Sequence, residues 1–193
     1  MTNNYAQDGD LIHQVILNEE FDATHGIVLE KVEYVQGDSE DFAEMLIRNM
    51  DEQNGVGLTA SQLGYNMSAF AFKEFDGDKM TNRVAFNPEI LSYSPDNILA
   101  GEGCLSYPGL IVKVKRPATI RVKYTDIHGE EVDTVLGEFT ARVFSHEYDH
   151  TQGIDFRDRA SFLHLQLARK KRHVNLRRMK RFFKEQQRQA EIA

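Results

Sequence analysis

Two histidines four residues apart, with a glutamate beside the first, make up His146-Glu147-Tyr148-Asp149-His150. On a helix, residues i and i+4 share one face, so both imidazoles can reach one divalent cation while Glu147 stands beside a water on that ion. That is a metal-hydrolase arrangement. The bland alternative is a helix that merely carries two exposed histidines, and a third ligand decides between the two. The familiar protease pattern puts another histidine six residues after the second, where this chain has Phe156. A phenyl ring cannot ligate a cation, so that reading fails even though Gly153 keeps the glycine of the longer pattern. A downstream glutamate is no substitute, because none occurs between Glu147 and Glu185. Cys104, within Glu102-Gly103-Cys104-Leu105-Ser106, is the candidate: a thiolate is a good ligand for zinc or iron(II), and glycine beside it lets backbone approach closely. It is also the only cysteine, which rules out an intramolecular disulfide and agrees with a reducing compartment. The plain alternative for a lone cysteine is an inert buried thiol.

A third segment with chemical potential is Gly55-Val56-Gly57-Leu58-Thr59-Ala60-Ser61-Gln62. It also fits the nucleotide fingerprint G-x-G-x-x-A, but it follows a predicted helix rather than a strand, so the phosphate-cradling context is missing.

These segments need a scaffold, and the apolar periodicity supplies one. Over residues 38–53, Phe42, Met45, Leu46 and Met50 recur at helical spacing between Asp38-Ser39 and Asn54-Gly55, which predicts a capped amphipathic helix. Strand character follows at 68–72, 83–86, 110–114 and 119–124, punctuated by Pro88, Pro108 and Pro117. The turn signal Asp126-Ile127-His128-Gly129 predicts a hairpin into a second alternating run over 132–136. Residues 139–152 read as a buried helix ended by Gly153. A basic helix starts near Ser161, with Leu165, Ala168, Leu176, Met179 and Phe183 as a loose apolar stripe. The expected fold class is α+β: antiparallel strands packed around a central metal-binding helix, with a helix in the N-terminal half and a basic C-terminal helix. The polar, aperiodic residues 1–10 are expected to be mobile.

A chain of 193 residues with 41% hydrophobic and 27% charged residues suits one globular domain. The net charge of −7 is unevenly spread: residues 161–193 carry ten basic and two acidic side chains, against 13 basic and 28 acidic before them. This is an acidic body, residues 1–160, with a basic helical extension, 161–193. The extension suits phosphate backbones, its plain alternative being a solvated helix face. No apolar run approaches the ~18 residues a membrane helix needs, and the opening residues have neither a basic signal-peptide region nor an Arg-rich transit character, so a cytoplasmic location is expected.

Taken in order, the three motifs resemble those of the peptide deformylases, whose patterns G-x-G-L-A-A-x-Q, E-G-C-L-S and H-E-x-D-H match GVGLTASQ, EGCLS and HEYDH here. The similarity extends through Asn87-Pro88-Glu89-Ile90, Ser106-Tyr107-Pro108-Gly109, Arg116-Pro117 and Gly153 to Ser161, about residues 38–161. Thr59 replaces an alanine of the pattern, Ser145 stands where the family usually has glutamine, and the usual Pro-Asp-Pro-x-Leu-Arg-like segment is not recognisable before Leu29.

The resemblance implies a metal-dependent hydrolase that removes the formyl group from N-formylmethionyl chains. By that resemblance Cys104, His146 and His150 bind one divalent ion, iron(II) being expected and zinc, nickel or cobalt acceptable, with a water in the open fourth position. Glu147 is the general base and acid. The side-chain amide of Gln62 and the backbone N–H of Leu105 stabilise the oxyanion. Substrate backbone lies extended against Val56, Gly57 and Gly103. The methionine pocket draws on Val56, Leu105, Val143 and His146, plain core packing being the alternative for Val143. Glu102, Asp149 and Arg116 orient the ligands from behind. The partners implied are N-formylmethionyl peptides and, because the C-terminal helix of some deformylases docks on the ribosome, the ribosome itself; no membrane and no DNA are expected. His13, His25, His128, His164 and His173 are expected to be surface or structural residues. Two other classes compete, another metallopeptidase or amidase and an inactive RNA-binding or structural relative. The upstream cysteine opposes the first, and retention of every ligand together with Glu147 opposes the second.

Overall fold

The computed structural model describes residues 14–17, 19–22 and 24–190; the expectations for residues 1–10 and for His13 lie outside them. A helical turn, α1 (Glu19–Asp22), precedes α2 (Asp38–Glu52), β1 (Gly57–Thr59), a 3₁₀ helix (Ala60–Leu63), β2 (Ala69–Asp76), β3 (Lys79–Tyr93), β4 (Asn97–Glu102), β5 (Val112–Pro117), β6 (Thr119–Thr125), β7 (Glu131–Gly137), α3 (Glu138–Thr151) and α4 (Phe162–Ala190). The strands form an antiparallel five-stranded sheet in the order β1-β2-β3-β6-β7 and a separate antiparallel pair β4-β5. The α+β architecture expected from the chain is the one observed.

Strand β2 shows how the layers arise. Its residues 69–72 are all buried because successive side chains serve opposite faces. Ala69 and Ala71 join a cluster with Phe42, Leu46 and Met50 of α2, whose spacing puts them on one helix face. Phe70 and Phe72 face the other way and pack edge-on against Phe144 of α3, at 4.9 and 5.3 Å between ring centroids. Ile120, Val122 and Leu136 complete that second cluster. Helix α3 is thus wedged between the large sheet and the β4-β5 pair, with both histidines of the motif buried. A third cluster, of Phe21, Cys104, Tyr107, Val112, Val114, Phe156 and Ala168, closes the side of α3 away from the sheet.

Pro88 does not separate two strands, as its position suggested. It lies inside β3, where the pairing with β6 shifts register between Phe86 and Glu89 and Asn87 adopts φ 50°. A bulge absorbs the amide that proline lacks. The Asn87 side chain accepts from Val32 N at 2.8 Å and donates to Val32 O at 2.7 Å, tying down the extended segment before α2. Strands β1 and β4 have no counterpart in the periodicity: β1 is too short to show a period, and β4 exposes Ile98 and Leu99. Gly153, just past α3, has φ 68°, and a Cβ there would stand 2.6 Å from Ile27 N. Only glycine ends the helix at that crossing.

Helix α4 is seated on the body at its first turns, where Ala168 is buried, and again where Arg172 Nε and Asn175 Nδ2 donate to the carbonyls of Pro108 and Gly109. Of the expected stripe, Leu165, Leu176 and Met179 are half-buried and Phe183 is exposed.

Candidate active site

Helix α3 presents His146 and His150 on the face turned towards Cys104, which follows β4 through Glu102 and Gly103. One ligand atom from each of the three residues lies within 4.8 Å of the other two. Cys104 Sγ is 3.4 Å from His150 Nε2. All three side chains are buried.

A thiolate and two imidazoles form a donor set suited to zinc or iron(II), and three protein ligands leave a coordination position open, as catalytic sites require. The outer nitrogens are also spoken for. His146 Nδ1 is 3.1 Å from Glu102 Oε2, and His150 hydrogen-bonds the backbone of Ile154, so each ring has its other nitrogen available to a cation. Burial and the neighbouring His146 push His150 well below the usual histidine range, which keeps its ring neutral. Burial would also lower His146, but its hydrogen bonds with Cys104 and Glu102 outweigh this and raise it. The rings are braced by aromatics: Phe21 packs edge-on against His150 at 5.2 Å, and Phe156 lies 5.4 Å from His146. The position that could not be a third ligand packs against one of the candidate ligands instead.

Behind the cluster runs a buried ionic network. Glu102 accepts from Arg116 Nε and Nη2, both at 2.9 Å, and from Arg142 Nη1 at 2.5 Å. Asp149 accepts from Arg116 Nη1 at 2.5 Å and from Arg159 at 2.6 and 3.1 Å. Burial alone would raise the Glu102 carboxyl, yet the hydrogen bonds of His146 and Arg116 hold it at about 2. Glu102 therefore contacts the His146 ring directly, whereas the Asp149 side chain, among the described residues, hydrogen-bonds the arginines alone. Arg142, Arg159 and Ile154 went unnoticed in the chain. A cation amid the apolar run 139–144 was the available signal for Arg142, since buried arginine is rare without partners.

Glu147 is 4% exposed, and burial raises its carboxyl above the ordinary range. Its Oε2 accepts the Thr59 hydroxyl at 2.7 Å. Gly57 lies so close that a Cβ there would stand 2.3 Å from Glu147 Oε1. Gly57→Ala is therefore expected to displace the carboxylate and lower turnover at least about tenfold with the fold intact, since small misplacements of reacting groups are costly; steady-state kinetics beside a circular dichroism spectrum checks this. Gln62 sits in the 3₁₀ helix with Oε1 accepting the Thr59 N–H at 2.9 Å. Its Nε2 donates to Ser106 Oγ at 3.1 Å and lies 3.4 Å from Cys104 Sγ, so its amide nitrogen is aimed at the cluster.

A cleft of about 280 Å³ opens onto this constellation. Val56, Gly57, Gly103 and Val143 line it together with Gln62, Cys104, Leu105, His146 and Glu147. Its walls also include Phe139 of α3 and Met179 of α4, neither of which the motifs had suggested. A larger, more open hollow of about 980 Å³ between Gln14, Asp22 and Arg169 contains none of the ligand set, so size does not locate the chemistry.

The profile of the polypeptide deformylase family matches residues 16–166. The chain belongs to the polypeptide deformylase family. A peptide deformylase of Thermotoga petrophila is 40% identical over 128 residues, 66% of this chain and 76% of that one. Among solved structures, the class I type b peptide deformylase of Acinetobacter baumannii with Met-Ala-Ser bound has a TM-score of 0.69 and 31% identity, covering 77% of this chain and 98% of the other. Peptide deformylase 1B of Arabidopsis thaliana, in complex with an inhibitor, reaches a TM-score of 0.73 at 27% identity over 90% and 93% of the two chains. This deformylase is thus a metal-dependent hydrolase that removes the formyl group from the N-terminal methionine of nascent polypeptides.

Proposed function

We propose that Cys104, His146 and His150 hold one divalent cation, iron(II) in the cell, and that Glu147 moves the protons of deformylation. The observation that carries this is the convergence of those three ligand atoms beside a cleft that Cys104, His146, Glu147 and Gln62 line together. The cation, when bound, supplies Lewis acidity that acidifies a coordinated water and polarises the formyl oxygen. Glu147 takes a proton from the attacking water and later delivers it to the leaving amine, for which its burial-raised carboxyl is suited. Gln62 Nε2 and the backbone N–H of Leu105 are the oxyanion donors in this reading. Val56, Gly57 and Gly103 border an extended peptide, which their small size and backbone groups favour. Val143, Leu105, Val56 and His146 surround the methionine side chain, and the Acinetobacter relative that holds Met-Ala-Ser supports a methionyl ligand. Glu102, Arg116 and Asp149 keep His146 and the cluster in place.

Anaerobically prepared protein is expected to release formate from formyl-Met-Ala-Ser and to contain about one iron per chain by elemental analysis. Metal-loaded protein that left this peptide intact would sink the assignment, and zinc in place of iron would correct the ion alone.

In the same reading residues 1–160 are the catalytic domain and 161–193 a basic extension that meets the ribosome, in the cytoplasm where nascent chains emerge. Among the described residues no helix is long and apolar enough to cross a membrane. Deleting everything after Ala160 would be a poor test, because Ala168 packs in the cluster that holds Cys104. Replacing the exposed Lys170, Lys171, Arg177, Arg178 and Arg181 by glutamine is the cleaner one. Ribosome co-sedimentation is expected to weaken at least about tenfold at moderate salt, with hydrolysis of free peptide unchanged. Unaltered, salt-dependent co-sedimentation would refute the contact.

A further inference from the structure

Thr59 stands where the first deformylase motif has alanine, and it is completely buried at the end of β1. Its extended backbone (φ −90°, ψ 146°) carries the side chain towards α3. There the hydroxyl lies 2.7 Å from Glu147 Oε2 and 3.3 Å from the Glu147 carbonyl oxygen. Of the two contacts the shorter, to a carboxylate, is the stronger. Among the described residues no other side chain hydrogen-bonds the Glu147 carboxylate. The same residue's N–H fixes Gln62 Oε1, so Thr59 touches the side chains of both Glu147 and Gln62 while lining no part of the cleft itself.

The terminal torsion of a glutamate is broad, so nothing intrinsic to the side chain fixes the plane of its carboxylate. A donor on one oxygen, Oε2, fixes that plane. It leaves Oε1, held against Gly57, as the oxygen that exchanges protons. We infer that Thr59 is a positioning residue for Glu147, its hydroxyl holding the carboxylate in the orientation that hydrolysis needs. This rests on the proposal that Glu147 carries the protons.

Thr59→Val keeps the shape and removes the donor; valine is preferred to alanine, which would open room for a water to replace the hydroxyl. Thr59→Ser keeps the donor. With formyl-Met-Ala-Ser and metal content measured on each protein, kcat of Thr59→Val is expected to fall about ten- to a hundredfold with KM and bound metal within about twofold of wild type. Thr59→Ser is expected to recover most of that loss. Should the valine variant fail to fold, Thr59→Cys, whose thiol is a weak donor, is held to the same criteria. A wild-type kcat in Thr59→Val, a loss confined to KM, or a serine variant as slow as the valine one would each overturn the inference. Glu147→Gln, assayed alongside, separates the two claims: an inactive Glu147→Gln beside a fully active Thr59→Val discards the role of Thr59 alone, and an active Glu147→Gln discards both.

Discussion

Glu147→Gln is expected to lower kcat by about 10³ while the protein still binds its metal and remains folded. The size follows from the role: a positioned general base contributes roughly 10²–10⁴, and an amide can neither accept the proton from water nor return it to the amine. Retention of metal follows from geometry, because the proposed ligand atoms belong to Cys104, His146 and His150 while the Glu147 carboxylate accepts a hydrogen bond from Thr59. Thr59 can go on donating to the amide oxygen, so the local packing survives. Stability should hold or rise slightly, since burial disfavours the charged carboxylate and glutamine removes that cost. Stopped formate release, unchanged elemental analysis and an equal or higher unfolding midpoint would together establish the pattern. Loss of the metal along with activity would instead make Glu147 part of the ion's coordination.

Arg116→Leu is expected to be the most destabilising single change near the site, by about 3–5 kcal/mol. Arg116 is 4% exposed and joins two buried carboxylates, Glu102 and Asp149, through three short hydrogen bonds. Removing it leaves like charges in a poorly hydrated space, a far larger penalty than losing a surface ion pair. Because Glu102 also orients His146, metal affinity should fall by about 10- to 100-fold as well. Urea unfolding of the metal-loaded protein reads the first effect and competition with a chelator the second. A wild-type urea midpoint would mean that Arg142 and Arg159 suffice to neutralise the pair.

Much of this was readable in the chain because it is encoded locally. The four-residue step from His146 to His150 guarantees a shared helix face whatever the rest of the fold does. The apolar spacing of Phe42, Met45, Leu46 and Met50 likewise specifies α2 almost to the residue. The hairpin at Asp126 follows from its turn chemistry, and the chemistry of a thiolate singled out Cys104 before any fold was in view. What escaped was written in long-range pairing. Pro88 looked like a strand end, and only the pairing of β3 with β6 shows the bulge that accommodates it. β4 carries no periodic signal, yet its pairing with β5 places Glu102 and Cys104 against α3. Arg142 and Arg159 are ordinary cations in the chain and become neutralising partners only when two carboxylates are buried beside them.

Residue types and short spacings thus pointed to a metal-hydrolase arrangement, its candidate ligands and a glutamate placed beside them, since these depend on side-chain chemistry and helical geometry, and the ordered motifs together carried the resemblance to the deformylases. The tertiary structure decided which groups meet: Cys104 with two histidines more than forty residues away, Glu102 rather than Asp149 on His146, Phe156 as a brace, and Thr59 on Glu147. Those pairings depend on how β1, the β4-β5 pair and α3 pack around a shared core, and close packing between segments distant in the chain leaves no period in any one of them.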